Sequence, residues 1–320
     1  MLSKISAMNF QSMRSTLSAP IRRRLDGAAS AFLAGDGAPP IDFSAPKGEP
    51  ALVAPDSVSW SIFKNPAALF IGGVAAVILE LAEPRVRTGV WEHTTFKTNP
   101  VGRLRRTGLA AMITVYGARS VSEAMIARIR RMHDAIEGVT PSGEPYRAND
   151  PDLLVWVQAT AAFGFLEAYS TYAAPLSPAE RDRCFSEGKE AARLYGAVDA
   201  PRSEAEWRTL YGKMRPRFER SDIIFEFLSI MRAAPALPHP LRLTQGMLIR
   251  AAIDILPGDA RDILGLGKSF GLRPFEKALV RRIAKRADRW ALPSSPAAQA
   301  CVRMGRPADW LYRHEERRSG

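Results

Sequence analysis

The chain has 320 residues, 46% of them hydrophobic, enough to bury a large core and too apolar for a disordered chain. Lysine and arginine outnumber aspartate and glutamate by 45 to 33, and the resulting net charge of +12 favours anionic partners: nucleic acid, acidic lipid, or a carboxylate- or phosphate-bearing ligand. Two cysteines, Cys184 and Cys301, stand far apart without CxxC spacing, which argues against a disulfide scaffold and a structural zinc site and fits a reducing compartment.

Residues 1–33 form a basic lead-in with Lys4, Arg14 and the run Arg22, Arg23, Arg24. They hold no continuous apolar segment of the kind a secretory signal needs, but their charge allows peripheral contact with an acidic membrane. "GDGAPPIDFSAPKGEP" at 35–50 reads as a loop from its glycines and prolines. The most apolar stretch, "AALFIGGVAAVILELA" at 67–82, falls short of the roughly 20 residues of a spanning helix and contains Glu80. A soluble, cytoplasmic protein is expected.

Asn65 before Pro66 opens a helix that runs to Pro84, and Asn99 before Pro100 repeats the device. Further helices are predicted over 120–137, 150–172, 178–195, 203–214, 221–233, 241–256 and 274–289. No run of period-two alternation and no two-residue hairpin turn stands out, so a large sheet is not expected. The predicted fold is all-α, a single globular domain of about ten helices over 34–292, followed by a C-terminal tail over 293–320.

Local motifs are few. "GLGKS" at 265–269 resembles the tail of a phosphate-binding loop, but the glycine that loop requires is Asp262. His93, His133, His239 and His314 are too scattered for a local metal cluster. Any catalytic constellation must therefore be assembled in three dimensions.

Three helices carry residues that could build it. In "GRLRRTG" at 102–108, helical periodicity places Arg103, Arg106 and Thr107 on one face, followed by the small residues Ala110 and Thr114. Past its first turn this helix is apolar nearly all round, as a buried helix is, and arginines at its mouth need an anionic partner. That partner is either a structural carboxylate or a ligand; Arg105 points elsewhere. In "MIARIRRMHDAIEG", His133 lies within the apolar stripe, where it is either a core histidine bonded to a carbonyl or an axial ligand to a haem. On the helix over 67–82, Gly73, Ala76, Glu80 and Glu83 share a face suited to close helix packing or to an acid–base group.

Taken in order, "PDSVSWSIFKNPAALFIGGVAAVILELAEPRVRTGVWEHTTFKTNPVGRLRRTG", "RMHDAIEG" and "YRANDPDLLVWVQAT" resemble the family of the rubber oxygenase (latex clearing protein) catalytic domain and the MpaB-type oxygenases, over about residues 34–215. The resemblance implies an all-α fold holding a b-type haem, with dioxygen used to cleave a carbon–carbon double bond in the rubber-degrading members. It implies His133 as the axial iron ligand. Arg103, Arg106 and Thr107 match an Arg-x-x-Lys-Thr motif on the opposite side of the haem. Arg106 stands where that motif has lysine; always protonated, it suits a propionate or bound dioxygen instead. Glu83 in "LAEP" and Gln158 in "WVQAT" stand where many relatives have histidine, whereas His93 in "WEHTT" matches.

The leading reading is a haem-dependent oxygenase acting on an apolar small molecule with dioxygen. His133 would be the proximal ligand, Arg103, Arg106 and Thr107 would line the distal side or neutralise propionates, and Glu80, Glu83 and His93 are the candidates for proton transfer. The rival is a non-catalytic helical protein of the same fold that binds a lipid-like ligand or a protein partner without haem. Nucleic acid is not expected: the arginines of 101–133 interleave with core positions, and no recognition motif occurs.

Overall fold

The computed structural model describes residues 23–27, 30, 41–237 and 241–313. It is all-α apart from one short hairpin, with fourteen helices running from Val58 to Arg303 among the described residues. The first six are α1 (Val58–Phe63), α2 (Pro66–Ala82), α3 (Pro84–His93), α4 (Pro100–Tyr116), α5 (Arg119–His133) and α6 (Pro151–Tyr172). Then come α7 (Pro178–Glu187), α8 (Lys189–Tyr195), α9 (Glu204–Met214), α10 (Asp222–Ala233), α11 (Gln245–Asp254), α12 (Gly258–Ile263), α13 (Glu276–Ala287) and α14 (Pro296–Arg303).

Several of these helices start where a capping side chain precedes a proline. Asn65 accepts from the amides of Ala67 and Ala68 at 3.1 and 3.0 Å, Asn99 from Gly102 at 2.9 Å, and Asp150 from Asp152 at 2.9 Å. Ser177 and Glu180 close a reciprocal capping box at the start of α7. Each cap satisfies amides that the first turn leaves without helical partners.

The centre of the molecule is the antiparallel pair α2 and α6. Trp156 on α6 donates its indole N–H to the Leu79 carbonyl at 3.2 Å, and two turns on, Gly164 meets Gly72. The backbones touch there: a Cβ on Gly72 would lie 2.6 Å from the Gly164 carbonyl oxygen, so no larger residue fits. Helices α11 and α13 pack on the same pair. A second core joins Phe43, Trp60, Tyr116 and Ile126 to Ala297, Cys301 and Leu311, so the segment read as a tail contributes to it. Arg303, fully buried there, donates to the carbonyls of Phe43 at 2.7 Å and Glu49 at 2.9 Å.

The structure also departs from the sequence reading along the helices themselves. Pro84 starts a new helix, α3, with Glu83 as its N-cap, bent by 111° from α2. Residues 137–147, whose first residue was placed at the end of a helix, form the hairpin β1 (Glu137–Val139) and β2 (Pro145–Arg147), turned at Gly143 with φ +88°. The helix expected over 178–195 breaks at Gly188 into α7 and α8. Among the described residues no single helix is long and apolar enough to cross a membrane; α2 and α3 reach that length and composition only when taken together across their 111° bend.

Candidate active site

Helix α4 is not the fully buried helix its composition suggests. Its buried residues are Gly102, Ile113, Val115 and Tyr116, while Leu104, Leu109, Ala110, Ala111 and Met112 are half-buried. The reason is its neighbours: α4 packs mainly on α1, α5 and α14, not flat on α2 or α6. A matching stripe on the central pair is also incompletely covered, formed by Gly73, Val77 and Glu80 of α2 and Val157, Ala161 and Phe165 of α6.

Four polar side chains converge at this stripe from four helices. Glu80 comes from the last turn of α2, Arg103 from the first turn of α4, His133 from the end of α5 and Thr160 from the middle of α6. Burial pushes the Glu80 carboxyl up to about 7, against the Arg103 charge and a hydrogen bond from Thr160, which favour its ionised form. The Thr160 hydroxyl is fully buried and also lies 2.9 Å from the Val157 carbonyl, so its one hydrogen serves two acceptors.

Arg103 answers from the other side. Burial lowers its pKa and nearby Arg106 adds to that, while Glu80 opposes both. The charges of Arg103 and Glu80 therefore act on one another, and both belong to candidate residues. Its Nη1 donates to the Thr107 hydroxyl, which in turn donates to the Arg103 carbonyl at 3.0 Å. Arg106 is exposed and donates to the Thr95 hydroxyl at 2.6 Å.

His133 is held towards its neutral form. Burial lowers its pKa, the Arg103 charge lowers it further, and the contacts with Asn149 and Asp134 oppose these only in part. A cation is ordinarily favoured at a helix C-terminus; here desolvation and a like charge prevail. Neutral imidazole is the form that ligates iron or accepts a proton. Asn149 donates to the Arg130 carbonyl at 3.0 Å and to the Asp134 carboxylate at 2.5 Å, which fixes its amide beside the ring. Its Oδ1 is buried without a hydrogen bond of good geometry.

Two other candidates lie elsewhere. Glu83 is fully buried at the start of α3, where it accepts from the Val86 amide at 2.9 Å, Arg85 at 2.8 Å and Arg217 at 3.0 Å. Burial works to raise its pKa, but these donors hold it below the usual carboxylate range. His93 is exposed, 3.1 Å from the Tyr146 hydroxyl. Gln158 lines a narrow pocket with Cys184 and Gly188, on another face of α6 from Thr160. None of these contacts of Glu83, His93 and Gln158 is with His133. Among the described residues no three His, Cys, Asp or Glu side chains form a metal-binding group.

Sequence reasoning named Glu80, Arg103 and His133 and missed Thr160 and Asn149. Both stand in "YRANDPDLLVWVQAT" at 146–160, a segment where neither a lone asparagine nor a lone threonine carries a local signal.

Neither the curated proteins nor the solved structures contain a match to this chain. The family model described as ER-bound oxygenase mpaB/B′/rubber oxygenase, catalytic domain, matches residues 60–289, a span that includes every residue of the convergent cluster. The chain belongs to that oxygenase catalytic-domain family.

Proposed function

We propose that the protein is a haem b-dependent oxygenase that acts with dioxygen on an apolar small molecule. The observation that carries this reading is the convergence of Glu80, Arg103, His133 and Thr160 on a half-covered apolar stripe between α4 and the α2–α6 pair. The donor set fits a flat, anionic, iron-bearing group. His133 is an imidazole held towards its neutral form, the Asn149 Oδ1 beside it is an acceptor for a ring N–H, and Arg103 and Arg106 are cations suited to carboxylate side arms.

A bound haem would supply the redox chemistry through which dioxygen attacks a carbon–carbon double bond. The chain's own residues have separate tasks. His133 would hold the iron through one ring nitrogen. Arg103 and Arg106 neutralise anionic charge at the mouth of α4, and Thr107 fixes the Arg103 side chain. Glu80, with its pKa near 7, both takes and returns a proton at neutral pH, and the Thr160 hydroxyl orients the carboxylate that does so. Val77, Val157, Ala161 and Phe165 exclude water and give an apolar substrate its surface.

The test is haemin titration of the purified apo-protein, followed by visible spectroscopy. A Soret band that saturates at one equivalent and is lost in His133→Ala, with helicity unchanged by circular dichroism, supports the reading. A folded wild-type protein in whose presence the spectrum remains that of free haemin at every ratio overturns it.

A further inference from the structure

The surface of α13 combines features that the oxygenase reading leaves unused. Between Arg273 and Arg289 the sequence "RPFEKALVRRIAKRADR" holds seven cations and two acids. Both acids are turned inward: Glu276 is buried against Arg250, its carboxylate 2.9 Å from the Arg250 Nε, and Asp288 is buried against Lys64 at 3.1 Å. Val280, Ala284 and Ala287 face the core. The outward face therefore carries no negative charge.

On that face Ala278, Arg281, Arg282, Lys285, Arg286 and Arg289 line an open groove of about 410 Å³. Arg281 donates to the Thr171 carbonyl at 3.3 Å; Arg282, Lys285, Arg286 and Arg289 have no ion pair among the described residues. Like charges so crowded repel one another, and nothing in the described fold relieves them. Beside them, Phe275 is 67% exposed and Leu279 44% exposed. Helical spacing puts Phe275 and Leu279 on the same flank as Arg282 and Arg286. The helix is fixed from behind by the Arg250–Glu276 and Lys64–Asp288 pairs and by the Asn65 amide, which donates to the Ala284 carbonyl at 3.0 Å.

We infer that this face of α13 docks on an anionic phospholipid surface. The unpaired guanidinium and ammonium groups complement a layer of headgroup phosphates, and their attraction to it is long-ranged and sensitive to salt. The phenyl ring of Phe275 and the isobutyl group of Leu279 enter the boundary between headgroups and acyl chains, as the apolar edge of an interfacial helix does. A nucleic acid would use the cations equally well but would leave Leu279 with no counterpart. The inference is independent of haem and of the cluster around Glu80: Asn65, packed on α13, is the N-cap of α2, and Glu80 lies at the other end of that helix.

The experiment is co-sedimentation of the full-length protein with vesicles of phosphatidylcholine alone or mixed with phosphatidylserine. Binding is expected only to the mixed vesicles and should weaken as salt is raised. The quadruple variant Arg282→Gln, Lys285→Gln, Arg286→Gln, Arg289→Gln should lose affinity by about a thousandfold at low salt. Phe275→Ser with Leu279→Ser should weaken binding at unchanged charge, whereas Arg22→Gln, Arg23→Gln, Arg24→Gln in the basic lead-in should bind as wild type. Full binding by the quadruple variant overturns the inference, as does loss confined to the lead-in variant or indifference to the apolar pair. So does a protein that ignores vesicles and binds single-stranded RNA.

Discussion

Glu80 and Arg103 act on one another across the space between α2 and α4: the guanidinium restrains the rise in the acid's pKa, and the carboxylate restrains the fall in the base's. Replacing Arg103 with methionine removes that restraint while keeping apolar length. The Glu80 pKa should then climb above its present value of about 7, by about one unit or more. Carbon-13 NMR titration of labelled glutamate measures it, and an unmoved Glu80 resonance would show that the two groups do not communicate.

The same carboxyl makes stability depend on pH in a defined direction. Its folded pKa of about 7 lies above the ordinary 4.5, so between these values the folded chain binds more protons at Glu80 than the unfolded chain does. Glu80 therefore contributes stability that is complete below 4.5 and is lost as pH rises through about 7. Glu80→Gln should flatten the decline across this window, by about 1 kcal/mol or more at its upper end. Denaturant midpoints of both proteins, taken at intervals through the window, decide the matter; parallel pH profiles would refute it.

Glu83 should behave quite differently. It caps α3 and is gripped by Arg85 and Arg217, so Glu83→Ala leaves two guanidiniums without their buried partner and should cost about 2–3 kcal/mol. Glu83→His should be destabilised as well, because imidazole cannot accept from three donors at once. Haemin binding by whatever fraction folds should remain at wild-type affinity. Thermal melts paired with haemin titrations separate these outcomes, and a weakened Soret band in a stable variant would return Glu83 to the site.

The helix crossing gives a third contrast. Gly164→Ala drives a methyl group into the Gly72 backbone and should cost about 1–3 kcal/mol. Gly212, exposed within α9 with nothing in reach of an added Cβ, should respond in the opposite sense: Gly212→Ala should stabilise by about 0.5–1 kcal/mol. Chemical denaturation of the two variants side by side checks both signs.

How much of this was legible in the sequence follows from where the information lies. Helix starts at Asn65, Asn99, Asp150 and Ser177 are local chemistry, a cap followed by proline, and could be read directly. The hairpin over 137–147 could not, because strands of three residues are too short to show alternation. The burial of α4 was overread since composition does not reveal which neighbours a helix has. At the site, Arg103 and His133 came from helical faces and family likeness, and Glu80 from its acid in an apolar run. Thr160 and Asn149 matter only through what folding sets opposite them, and neither residue type is conspicuous in a chain rich in both apolar and polar residues.

At the crossing of α2 and α6 no side chain stands between the two main chains, and Trp156 ties the same pair again at the Leu79 carbonyl. The distance from Glu80 to Thr160 is therefore ruled off in backbone atoms, which every amino acid shares. Val77, Val157, Ala161 and Phe165 can be exchanged for larger, smaller or differently shaped neighbours without resetting that ruler. Substrate preference could drift in such a scaffold while the acid keeps its place.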